Sequence, residues 1–374
     1  MTTKQGRIHF MDPLRGILMM LGVLLHAAQV FNPDFKWLIQ STETTPLAPY
    51  FVGLIHLFRM PAFYIVSGFF TLLTVRKVEA NRFLKLRAQK ILIPFIVTAL
   101  TLNSIQCALL HSELNPSATP FVFSQYLIDG EWVSHLWFLA YLFCFILIVY
   151  FWKKLFSTGK HPSISKWLEG LTKLPVAVWL FSLPAYYLAL VILGKTAPQI
   201  FLFRYGFSIY DFLYYFQFFA FGLLMSASRP LFEKFTRLSI PQSLLFVGAW
   251  YVLANFTALP QETLAKILEA YARLLIIWIS CQIVFSLFKK LADRPSNWAT
   301  FASSASYTVY LFHHCLVVLF GLILIRAGIG GILGFLILTS VVLVLSAFIH
   351  VKFVAKNDWA AFLFGSPTKA PRDQ

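Results

Sequence analysis

Of the 374 residues, 59% are hydrophobic and 12% charged, about half the charged fraction of a soluble domain, so the chain cannot clothe a water-facing surface and is expected to be an integral membrane protein. Lys and Arg total 31 against 15 Asp and Glu, a net charge of +16; the cations fall in short clusters between apolar runs rather than in one patch, which argues against nucleic acid as a partner. Cys107, Cys144, Cys281 and Cys315 all lie in apolar stretches without CxxC spacing, so neither a disulfide framework nor a zinc site is expected.

A helix that crosses a bilayer needs about 20 mostly apolar residues. Ten stretches qualify: 12–31, 50–74, 91–111, 135–152, 174–193, 211–227, 241–258, 264–288, 303–325 and 329–351. The expected fold is all-α, a polytopic bundle of about ten transmembrane helices forming one domain over 1–374 with no appended soluble domain. Alternate connections carry the cations, from Arg76 to Lys90, Lys153 to Lys173, Arg229 to Arg237 and Lys289 to Arg294. The intervening loops hold only Lys36, Lys195, Arg204 and Arg326. Positive charge marks the cytoplasmic side, which places both termini there. The first span has no clear cleavage context and is taken as a retained helix rather than a signal peptide.

Polar side chains inside such spans are costly and mark function. On the first helix, Asp12, Arg15 and His26 fall along one stripe: eleven residues at 100° each bring His26 back to within about 20° of Arg15, about 16 Å further along the axis. Asp12 before Pro13 also suits a helix N-cap, and Arg15 also suits snorkelling to headgroups. His26, between Leu25 and Ala27, has no such alternative. On the second helix, His56 and Arg59 lie one turn apart ahead of Pro61, and the buried guanidinium calls for an acid or substrate oxygens. The Ser67-Gly68 pair suits a close helix contact.

The densest basic segment follows, with Arg82, Lys85, Arg87 and Lys90. Glu131 and His135 then lie at the outer mouth of the fourth span. Aromatic residues crowd 201–219, which suits an interfacial belt or a platform for sugar rings. His313 and His314 are adjacent on the ninth span, about 100° apart, so one of them at most should face a given site. No histidine has metal-ligand spacing, and no metal site is expected.

Together, the Arg15 to His26 spacing, HLFRMPAFYIVSGFF, RAQKILIP, SHLWFL and YLFHH resemble the membrane acyltransferase-3 family from residue 10 to about 350. Within it they are most similar to the glucan biosynthesis protein C branch, which succinylates osmoregulated periplasmic glucans. The resemblance implies a bundle of about ten helices in a bacterial inner membrane. It implies that His26 is the catalytic histidine with Arg15 beside it, and that Arg87 and Lys90 meet the phosphates of CoA. Where the family has a second arginine this chain has Lys90, which keeps the charge but loses bidentate geometry.

The residues support the same scheme. Acyl-CoA, with succinyl-CoA the expected donor, meets Arg82, Arg87 and Lys90. The acyl group reaches Asp12, Arg15 and His26, while Arg59, His56, Glu131, His135 and His313 contact the substrates. The acceptor is a periplasmic glucan, and no permanently bound cofactor is expected. The lipid bilayer and either a second copy of the chain or other glucan-biosynthesis proteins are the remaining expected partners. The rival is a proton-coupled transporter of a small anionic solute, against which the absence of a visible repeat between the chain's two halves counts.

Overall fold

The computed structural model describes residues 8–114, 121–155, 164–174, 176–196, 207–256 and 263–365. No strand occurs among them. Helix α1 (Met11–Val30) begins without a side-chain cap of its own. The backbone N–H groups of His9 and Phe10 donate instead to Asp293 Oδ1, at 3.1 and 3.3 Å. Asp12 is therefore not the N-cap: it lies inside the first turn, where a carboxylate faces the positive end of the helix dipole, 3.9 Å from Arg15.

Helix α2 (Ala48–Val75) keeps Pro61 in its interior. Helix α3 (Ala80–Glu113) widens to a π turn over Ala88–Leu92, just ahead of Pro94, whose missing N–H cannot close a bond to the turn before it. After α4 (Phe123–Asp129), Gly130 takes φ 75°, and a 3-10 turn at Ser134–Leu136 leads into α5 (Trp137–Leu155). The chain continues through α6 (Ile164–Thr172), α7 (Val176–Thr196), α8 (Ile209–Ala227), α9 (Arg229–Phe235), α10 (Ile240–Phe256) and α11 (Thr263–Ala292). Helices α12 (Asn297–Arg326), α13 (Gly331–Ile349) and α14 (Asp358–Leu363) complete it.

Seven helical segments among the described residues are long and apolar enough to cross a membrane, and α9 with α10, bent by 55°, makes an eighth if taken as one span. This is fewer than ten. Two of the expected spans, 174–193 and 211–227, form α7 and α8 and are not among the seven. In α7 the continuously described stretch, Ala185–Gly194, is itself a short apolar helix, and in α8 Tyr210, Asp211, Tyr214, Tyr215 and Gln217 dilute the phenylalanines. Of the cations used for orientation, Lys160 and Arg204 lie outside the described residues.

Two backbone contacts hold the centre. A Cβ on Gly68 would run into the Phe219 carbonyl and one on Gly222 into the Ile65 carbonyl, so α2 and α8 touch backbone to backbone, the close contact that Ser67-Gly68 suggested. Likewise a Cβ on Gly16 would lie 2.9 Å from the Ala302 carbonyl oxygen, which seats α1 against α12. Residues 201–206 of the aromatic segment lie outside the described residues. The rest packs against the core, with Tyr215 5.1 Å from Tyr64, Phe212 4.9 Å from Phe145 and Phe218 4.7 Å from Trp278 between ring centroids.

Candidate active site

Seating α1 on α12 places the stripe of α1 against a matching stripe. Arg15 donates to Ser303 Oγ at 3.1 Å, and eleven residues further along both helices the rings of His26 and His314 lie 4.7 Å apart. His313 is also in contact with His26, at 5.4 Å. His135, delivered by the Ser134–Leu136 turn, stacks on His314 at 4.5 Å and meets His313 at 5.3 Å. Both adjacent histidines thus face one site, contrary to the expectation from their 100° separation. The cluster is built from three elements, with α1 and the Ser134–Leu136 turn flanking α12, so two directions on that helix open into it.

The cluster's tautomers are set by neighbours. His26 Nδ1 lies 3.1 Å from Gln29 Oε1, one turn on; the amide oxygen accepts only, which puts the proton on Nδ1 and leaves Nε2 as a base. Trp37 stacks on the same imidazole at 5.3 Å. His314 Nδ1 donates to Gln106 Oε1 at 2.6 Å, and His313 Nδ1 to the Tyr310 carbonyl at 2.5 Å. Tyr310 in turn donates its hydroxyl to the His135 carbonyl at 2.7 Å. That leaves His313 Nε2 and both ring nitrogens of His135 buried without a hydrogen-bond partner among the described residues. Buried polar atoms are rarely left so, and here they border the place where a reacting group can be held.

Arg59 completes the cluster. It is 8% exposed and donates Nε to the Leu18 carbonyl at 3.2 Å. Its guanidinium lies over Gly22, beside His313: a Cβ at Gly22 would be 2.7 Å from Arg59 Nη2 and 3.3 Å from His313 Nε2. Any larger residue at this position would push the guanidinium from its place. His56 does not join it. The three-residue step turns His56 about 60° away from Arg59, and its side chain is exposed.

A cavity of about 510 Å³ opens below the cluster, with Arg15, Arg87, Lys90 and Arg294 on its wall. Arg87 is held by the Phe70 carbonyl at 3.1 Å and Thr74 Oγ1 at 2.7 Å. Asp12 and Ser303 also line this space, whereas Arg82 is exposed and outside it. Met19, Phe63, Leu139 and Ser306 also line the cavity. These lie seven residues from His26, four from Arg59, four from His135 and seven from His313, or about 6 to 10 Å along their helices. Glu131 is not at the cluster: it faces Cys107, at 2.6 Å, and His111, at 3.8 Å.

Of the predicted residues, the structure brings together His26, Arg59, His135 and His313 in one cluster and Asp12, Arg15, Arg87 and Lys90 around the adjoining cavity. His314, left open in the sequence, belongs to the cluster. Gln29, Trp37, Gln106, Tyr310 and Arg294 were not singled out. Gln106 had the same signal as His26, a polar side chain in an apolar run; Arg294 had been counted only as an orienting charge.

A family described as an acyltransferase domain matches residues 8–351. The chain is 25% identical over 347 residues to glucans biosynthesis protein C of Salmonella schwarzengrund (strain CVM19633), covering 88% of this chain and 87% of the relative. Proteins of the same name from Escherichia coli (strain K12) and Shigella dysenteriae serotype 1 (strain Sd197) are 25% identical over 340 and 339 residues, with the same coverage. No solved structure matches.

Proposed function

This chain belongs to the acyltransferase family that spans residues 8–351 and is a multi-pass membrane protein of that family, similar to glucans biosynthesis protein C; from that premise we propose that it transfers a succinyl group from cytoplasmic succinyl-CoA to hydroxyls of a periplasmic glucan. The observation that carries the reading is the alignment of a cation-lined cavity with a buried histidine cluster across the same four elements. The phosphates of CoA are held by Arg15, Arg87, Lys90 and Arg294 through charge-assisted contacts. Its thin pantetheine arm passes Met19, Phe63 and Leu139 on the cavity wall, and the thioester arrives beside Arg59 and His26.

There His26 Nε2 takes the proton of a glucan hydroxyl as its oxygen attacks the thioester carbonyl. Arg59 balances the charge that builds on the carbonyl oxygen. Collapse of the intermediate breaks the carbon–sulfur bond, and the proton passes from His26 to the departing CoA sulfur. His135 and His313, with ring nitrogens lacking partners, receive the acceptor's neighbouring hydroxyls.

The orientation follows the same logic. His9 and Gly365, near the two ends of the described chain, line one cavity, which supports both termini lying on the face where CoA enters, the cytoplasmic face of the inner membrane. Two ends on one face require an even number of crossings, so one or all three of α7, α8 and the bent pair α9 and α10 must add to the seven. Purified protein in detergent tests the whole reading: succinyl-CoA should be consumed and free thiol released only when glucan is present. Release of thiol without glucan dependence, or none with any acyl-CoA, would overturn it.

A further inference from the structure

Outside the cluster and the cavity, a second group of chemically competent side chains converges near the C-terminal end of α3. Cys107 and His111 are four residues apart and share a helix face, and Glu131 reaches them from the loop after α4. Their ligand atoms, Cys107 Sγ, His111 Nε2 and a Glu131 carboxylate oxygen, all lie within 4.8 Å of one another. We propose that these three residues form a site for a divalent cation of the zinc class, although the spacing of the sequence predicted no metal.

Three features point to that ion. The donor set joins sulfur, imidazole and one carboxylate, which suits zinc, cobalt or copper and not magnesium or calcium. Three protein ligands with one open position are what an accessible tetrahedral zinc ion takes, at about 2.0 to 2.3 Å from each donor and hence about 3.3 to 3.8 Å between donors. The His111 to Glu131 distance of 3.8 Å already fits, and the 2.6 Å between Cys107 and Glu131 opens by about 1 Å with a turn of the exposed carboxylate. The burial is graded: Cys107 is 7% exposed and forms the floor, while the side chains of His111 and Glu131 are 40% and 41% exposed and leave a way in.

The neighbouring carboxylates have other work. Glu113 pairs with Arg326, and both oxygens of Asp129 accept from Gln125 at 2.8 Å. Glu131 is thus the acid directed at the cysteine and histidine. It also precedes His135 by four residues, with Ser134 between them held at φ 38°. An ion that ties Glu131 to α3 therefore clamps the short loop that delivers His135. Binding of the ion stands apart from the acyl-transfer reading; only the consequence for His135 rests on it.

Cobalt(II) titrated into the full-length protein in detergent is the direct probe. One Co²⁺ per chain should bind with intense visible ligand-field bands and a near-ultraviolet band from sulfur to cobalt. Cys107→Ser should remove the sulfur band. Glu131→Gln, at an exposed position that leaves the fold intact, should keep that band and weaken binding about tenfold or more. Cys144→Ala should change neither. Absence of the sulfur band in the unmodified protein, its survival in Cys107→Ser, or unchanged affinity in Glu131→Gln would each overturn the assignment.

Discussion

Replacing Gly22 with alanine adds a single methyl group, and the structure says where it goes. The new Cβ lies 2.7 Å from Arg59 Nη2, against 3.4 Å for ordinary contact, so the guanidinium must retreat by about 0.7 Å. His313 Nε2, at 3.3 Å, hardly has to move. Because the atom displaced is the end of a flexible side chain, the cost to folding is small. The cost to chemistry is not: a displacement approaching 1 Å in a positioned group lowers rates by up to about a hundredfold, which is about 2 to 3 kcal/mol of transition-state stabilisation. Gly22→Ala should therefore be produced at normal yield with kcat/KM for the acyl donor lowered thirty- to a hundredfold, read as glucan-dependent thiol release. Gly222→Ala is the control, since its methyl meets the backbone carbonyl of Ile65, which cannot retreat; it should lose yield and monodispersity instead. A well-produced Gly22→Ala with kcat/KM within twofold of the parent would remove Arg59 from the reaction site.

Three further outcomes follow from the same geometry. His26→Ala should lower turnover about 10²- to 10⁴-fold, the usual worth of a general base, with an unchanged elution profile; near-normal glucan acylation would refute its role. Neutralising Arg87 and Lys90 together should raise KM for the acyl-CoA about thirtyfold, from about 2 kcal/mol of lost charge-assisted contact, while Arg82→Ala, outside the cavity, should leave KM unchanged; equal effects from both variants would dissociate the cavity from donor binding. Arg59→Met should impair succinyl transfer more than acetyl transfer, because a succinyl carboxylate leaving water needs a cation, and equal loss of both activities with reduced yield would make Arg59 purely structural.

What could be read from the sequence was whatever a single helix decides. His26 was visible because an imidazole between Leu25 and Ala27 has no local partner, and the Arg15 to His26 stripe followed from 100° per residue. Local rules failed where a break in the helix or a distant residue decides. Glu131 and His135 are four apart, the spacing of one helix face, yet Gly130 at φ 75° just before them and Ser134 at φ 38° between them turn the chain and send one to Cys107 and the other into the cluster. Asp12 has the local form of an N-cap, but Asp293, 281 residues further along the chain, takes the first free N–H groups.

The histidine pair on α12 shows the limit most clearly. An angle of 100° between neighbours separates two side chains only if the site is a flat face against one side of the helix. Here Gly16 lets α1 run close beside α12 in the same direction, so that Arg15 meets Ser303 and His26 meets His314 in constant register over eleven residues. The turn at Ser134–Leu136 closes the remaining side. The stripe legible on α1 was half of a lining shared by two parallel helices. Its other half could not be recognised from α12 alone, because Ser303 is unremarkable until Arg15 is placed against it, and two adjacent histidines become one site only when a third element bends around them.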